Sequence, residues 1–174
     1  ADLIPLEYVA DAGAHGTLRG HVARANPLWQ RAGMKALAVF TGPEAYISPG
    51  WYASKQEHGK VVPTWNYTMV QARGTLRAID DAPWLRALVG RLTDHHEATQ
   101  AAPWQVSDAP DEFVQQMLRA IVGIEIELTS LLGKWKVSQN RSVADREGTA
   151  QGLTGAAQAD MAALVRLAKP PGAA

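Results

Sequence analysis

Apolar and polar positions change period several times along the chain, and each change predicts an element. Leu3 to Val9 reads as a short strand, Gly13 and Gly16 mark a turn, and Leu18 to Ala23 reads as a second strand. That strand runs into Asn26-Pro27, where Asn26 suits a helix N-cap and Pro27 the first helical position. Ala36 to Phe40 is a compact apolar run, Thr41-Gly42-Pro43 interrupts it, and Ala45-Tyr46-Ile47 resumes the extended pattern. Ser48-Pro49-Gly50 predicts a turn, and the mostly polar stretch from Trp51 to Gly59 a short helix or loop carrying Lys55. From Val61 an alternation runs to Gly74 and continues from Thr75 to Ile79, a long strand with a bend at Gly74.

Helical spacing then takes over. Asp80 to Thr99 opens with Asp-Asp-Ala-Pro, a helix start, and places Leu85, Leu88, Val89 and Leu92 on one face. Asp111 to Arg119 predicts a second helix with Phe113, Met117 and Leu118 buried. Ile124, Ile126 and Leu128 alternate with Glu125, Glu127 and Thr129, a strand with one wet face that continues through Lys134 to Ser138. After Arg141 the pattern is helical, with Met161, Leu164, Val165 and Leu167 as an apolar stripe ended by Pro170-Pro171. Five or six strands in mostly consecutive order, with few helices between them, predict a small antiparallel barrel. The fold class is therefore mainly β with flanking helices (α+β). A chain of 174 residues, 47% hydrophobic, predicts a single domain over residues 1–169 and a disordered tail over 170–174.

Charge and cysteine usage narrow the function classes. Lys+Arg and Asp+Glu both number 17, so no whole-chain field attracts a polyanion, and no helix-turn-helix pattern or basic face supports direct DNA contact. The absence of cysteine removes disulfides, thiolate metal sites and cysteine nucleophiles, and fits a reducing cytosol. No apolar run reaches the roughly 18 residues of a membrane span, and the first residues lack a secretion-signal pattern. A cytoplasmic protein without a membrane partner is expected.

Four stretches combine polar and aromatic residues at strand ends: Gly20 to Pro27, Tyr46 to Tyr52, Val62 to Tyr67, and Lys136 to Arg141. They offer what a phosphorylated planar ligand requires. Arg24, Lys55, Lys136 and Arg141 can neutralise phosphate, Ser and Thr hydroxyls can bond its oxygens, Asn and Gln amides can read an imide edge, and aromatic faces can stack on a ring. Each stretch taken alone also reads as core tryptophan and solvated strand-end charge.

In order and spacing the four stretches resemble the signature segments of the PaiB-like FMN-binding negative transcriptional regulators, and the resemblance extends to Pro103-Trp104 and Ile121-Val122-Gly123. It implies an FMN-binding split β-barrel, related in fold to the pyridoxamine phosphate oxidases, working as a homodimer with the flavin at the subunit interface. The cofactor-binding residues it points to are His21, Arg24, Asn26, Ser48, Trp51, Tyr52, Lys55, Thr64, Trp65, Asn66, Lys136, Ser138, Gln139, Asn140 and Arg141. The turn from Arg24 to Pro27 is expected to hold phosphate, because backbone N–H groups and a guanidinium meet there. Ser48, Trp51, Tyr52, Thr64, Trp65 and Asn66 are expected along the ring or ribityl chain, and Lys136 to Arg141 to reach the partner subunit's cofactor. Two departures stand out: Gln71 occupies a position usually held by His, and Val137 one usually held by Leu. The family pattern also begins earlier than Ala1, so a preceding segment of about 30 to 40 residues with a helix and two strands is expected.

Two other functions fit the same residues, a flavin-dependent oxidoreductase acting on a small molecule and a haem-binding split barrel with His21 as ligand. No catalytic residue is singled out. His95-His96-Glu97 does not form a metal site, because adjacent helical histidines point about a hundred degrees apart. Glu125 and Glu127 share a strand face, which solvation explains as well as paired acid–base chemistry does.

Overall fold

The computed structural model describes residues 2–169, which divide into two compact units: residues 2–38 with 72–131, and residues 39–71 with 132–169. The tail expected to be disordered, 170–174, lies outside the described residues. Five strands, β1 (Glu7–Val9), β2 (Thr17–Ala23), β3 (Lys35–Ile47), β4 (Thr64–Ile79) and β5 (Ile121–Lys136), form one sheet in the order β1-β2-β5-β4-β3. β2 runs antiparallel to both β1 and β5. Helices α1 (Ser54–His58), α2 (Ala82–Glu97), α3 (Asp111–Arg119), α4 (Val143–Gly155) and α5 (Ala159–Leu167) accompany the sheet. The fold is mainly β with flanking helices, as the periodicity predicts.

In the first unit the alternation of β2 and β5 buries Leu18, Val22, Ile124, Ile126 and Leu128 together with Ala72 and Leu76. Each of these Leu, Ile and Val side chains contributes about 1.5–3 kcal/mol when fully buried. On the opposite face Arg19 stands across from Glu125 and bonds it at 2.9 Å, the charge pairing that favours this register. Leu85 of α2 packs with Val114 and Leu118 of α3 in a second cluster. In the second unit Ala45, Ile47, Tyr52 and Val137 meet Ala150 and Leu153 of α4 and Met161, Ala162 and Val165 of α5. Gly148 and Gly152 make room on α4 for Trp51; a Cβ at either would overlap its carbonyl or its indole.

Five expectations need correcting. β3 runs unbroken through Thr41-Gly42-Pro43. Gly42 is there for close approach, since a Cβ would strike the Thr68 hydroxyl, and Pro43 is tolerated because β3 is the edge strand, where a missing N–H need cost no ladder bond. β1 is shorter than read, leaving Leu3 fully exposed. On α3 the buried face is Val114 and Leu118, while Phe113 and Met117 face solvent. The C-terminal helical stretch is two helices, and Leu167 at its end is exposed. The helix after Asn26 is only a 3-10 turn, Pro27–Arg31, although Asn26 caps it as expected by accepting from Leu28 N at 2.9 Å.

Candidate functional site

Twelve of the fifteen candidate residues belong to the second unit, and His21, Arg24 and Asn26 to the first. The second-unit group is built on the end of β5. There Ser138 adopts a left-handed backbone, φ 62°, unusual for a residue with a Cβ. Gln139 shapes this turn: its Oε1 accepts from Val137 N at 2.8 Å and its Nε2 donates to Trp135 O at 2.7 Å. Ser138 is buried, and its Oγ accepts from Asn66 Nδ2 at 2.9 Å while lying 3.3 Å from Asn66 Oδ1. Asn66 is itself 1% exposed, so the hydroxyl–amide pair satisfies two groups that would otherwise lose water.

Lys136 Nζ donates to Thr64 Oγ1 at 2.7 Å and stands 5.8 Å from the Tyr67 ring centroid. Arg141 lies over the Tyr52 ring, with 4.7 Å from the guanidinium carbon to the centroid. Burial pushes the Tyr52 phenol pKa up, and the Arg141 charge works against that. Ser48 caps the Pro49–Trp51 turn by accepting from Gly50 N. Lys55 sits exposed on α1, Asn140 is exposed, and Trp65 is half exposed with Tyr46 in an edge contact at 6.0 Å. Among the described residues none of Lys55, Lys136 and Arg141 forms an ion pair with a carboxylate.

The first-unit group differs. Arg24 Nη1 and Nη2 donate to the two Asp80 oxygens at 2.9 and 2.6 Å, and Nε and Nη2 also donate to the carbonyls of Arg119 and Ile121. The guanidinium beside Asp80 holds its carboxyl below the usual carboxylate range. Arg24 therefore ties the end of β2 to those of β4 and α3, and its charge is already matched. Asn26 caps its turn and donates to Asp2. His21 Nδ1 is buried with no hydrogen-bond partner among the described residues, and burial lowers the imidazole pKa, which favours the neutral ring.

Two residues absent from the sequence reading matter locally. Asp145, 4% exposed in the first turn of α4, accepts from Ser54 N and from Ser54 Oγ, each at 2.9 Å. The pairing spans 91 positions, and no local pattern announces it. A carboxylate in the first turn of α4 behind the Ser142 cap reads as capping alone.

Residues 1–130 match the family described as "Putative FMN-binding domain". An uncharacterized protein of Aspergillus fumigatus is 35% identical over 173 residues, covering 79% of this chain and 66% of its own length. Protease synthase and sporulation protein PAI 2 of Bacillus subtilis is 31% identical over 133 residues, covering 75% of this chain and 61% of that protein. The chain thus spans about two thirds or less of the length of these relatives. Among solved structures, the flavocytochrome Anf3 of Azotobacter vinelandii aligns with a TM-score of 0.47 at 11% identity, covering 69% of this chain and 50% of that one.

Proposed function

The chain belongs to the FMN-binding domain family, whose cofactor is FMN, and from that premise we propose that it is a cytoplasmic, flavin-dependent negative regulator of transcription acting as a homodimer. The resemblance in the four signature segments supports the regulatory role, and the balanced charge favours action through a partner over direct DNA contact. A split barrel with flavin at the subunit interface is part of the same proposal. Half-exposed Tyr46, Trp65, Leu132 and Trp135 in the second unit support it, since a soluble monomer rarely leaves such side chains wet.

One observation carries the reading of the site. Of the four cations expected to meet phosphate, Arg24 is matched by Asp80, whereas among the described residues Lys55, Lys136 and Arg141 form no ion pair with a carboxylate. We assign the phosphate to these three, with the Thr64 hydroxyl as a neutral donor. The second unit holds eight Lys and Arg against five Asp and Glu, which also favours a dianion there. Ser48, Trp51, Tyr52, Trp65 and Asn66 remain the candidates for the ring and ribityl chain, with Ser138, Gln139 and Asn140 shaping the turn beside them. His21 and Asn26 are assigned no direct role with phosphate. When bound, FMN supplies one- and two-electron redox chemistry.

Fluorescence titration of the apoprotein with FMN and riboflavin tests the assignment. FMN is expected to bind at least tenfold more tightly, the scale of one charge-assisted hydrogen bond. Equal affinities would remove it. Light scattering should give twice the chain mass at micromolar concentration, and a monomer would count against the interface. Anaerobic mixing with NADPH should leave the flavin oxidised over seconds; rapid bleaching would replace the regulator by an oxidoreductase.

A further inference from the structure

Asp145 is a buried carboxylate in the second unit, and it touches none of the groups assigned above to phosphate. Its oxygens both face Ser54, the first residue of α1. That helix needs the help: it has five residues, its own N-cap position is Ala53, and Ala53 makes no side-chain cap. Asp145 supplies the missing cap from a distant part of the chain. Two residues before Ser54 is Tyr52, the ring on which Arg141 lies, and Arg141 is four residues before Asp145. The segments 52–54 and 141–145 are thus joined by two rungs, Tyr52 with Arg141 and Ser54 with Asp145. Lys55 follows the second rung directly.

We propose that Asp145 is a positioning residue for the phosphate-binding cations, fixing α1 with Lys55 and the seat of Arg141 on Tyr52 without itself touching the cofactor. This rests on the assignment of phosphate to Lys55, Lys136 and Arg141. Without the Asp145 rung the five-residue helix has no cap, and its lysine samples many directions. Arg141 keeps its ring contact, but the backbone bearing Tyr52 is no longer held.

The test compares FMN and riboflavin affinities of Asp145→Ala, Asp145→Asn and the unaltered chain, with a thermal melt of each. In the unaltered chain a preference for FMN over riboflavin checks the underlying assignment, and its absence sinks that assignment before Asp145 is considered. Given the preference, Asp145→Ala should reduce it by about tenfold while riboflavin affinity stays within twofold. Asp145→Asn should restore most of it, because an amide can accept from Ser54 N and donate to Ser54 Oγ. Equal loss for both flavins, an unchanged preference in Asp145→Ala, or no rescue by Asp145→Asn would overturn the proposal. If Asp145→Ala fails to fold, Ser54→Ala, which removes only the hydroxyl rung, should lower the preference about twofold to threefold, and an unchanged preference there would overturn it equally.

Discussion

Replacing Lys136 by Ala removes a cation whose position the fold has already fixed. Its ammonium is held by Thr64 Oγ1 at 2.7 Å and faces the Tyr67 ring at 5.8 Å, so little side-chain entropy remains to be lost when an anion arrives. A charge-assisted bond to phosphate is worth about 1.5–3 kcal/mol, and 1.4 kcal/mol is about tenfold, so the FMN dissociation constant should rise by roughly ten- to a hundredfold. The fold loses less. The bond to Thr64 contributes about 1 kcal/mol and the ring contact about 0.5–1 kcal/mol, which together lower Tm by a few degrees. Titration of the apoprotein by flavin fluorescence, with riboflavin in parallel and a melt of the free protein, separates the two effects. Riboflavin affinity should hardly change. An equal loss for both flavins would show that Lys136 shapes the pocket rather than meeting phosphate, and unchanged FMN affinity would place the phosphate elsewhere.

Arg24→Ala should lower Tm while keeping the preference for FMN over riboflavin, because its donors are spent on Asp80 and two carbonyls; loss of the preference in the same titration would return Arg24 to the phosphate. His21 has a folded pKa below 6.5 because burial disfavours the imidazolium, so the unfolded chain takes up its proton first as pH falls. The stability it contributes is present above pH 6.5 and is lost as pH falls below that value towards the folded pKa; His21→Gln should flatten the drop in Tm between pH 7.5 and 5.5, and an unchanged slope would dismiss the assignment. Gly152→Ala should destabilise by about 1–3 kcal/mol through overlap with Trp51, whereas Gly90→Ala in α2, with open space around it, should stabilise by up to about 1 kcal/mol. Stabilisation by both substitutions in denaturant melts would show that helix propensity, not packing, governs the first.

What the sequence carried was local. Strand alternation in Ile124 to Leu128 and the Asp-Asp-Ala-Pro start of α2 appear where the pattern puts them, because period and capping are decided within a few residues. In β3 the pattern predicts an interruption because Gly42 and Pro43 break strands by habit, and only their setting, an edge position and a facing Thr68, makes them harmless. Phe113 and Met117 show the converse: their hydrophobicity predicts burial, yet the helix turns Val114 and Leu118 inward. At the site, residue types were legible and partners were not. Asp80 reaches Arg24 across 56 positions and Asp145 reaches Ser54 across 91, and such meetings depend on how strands and helices are arranged. Which cations are left for a ligand follows from those meetings.

The Ser138–Asn66 pair constrains how these two positions can drift over generations. The left-handed backbone at 138 favours glycine, and relaxing it would gain about 1 kcal/mol. Glycine would also strip the Asn66 amide of its partner inside the protein, costing about 1–3 kcal/mol. A change at 66 alone leaves the Ser138 hydroxyl stranded in the same way. Neither residue can be replaced first without a less stable intermediate, so the two should be inherited as a unit, and a homologue that has lost one should have lost the other.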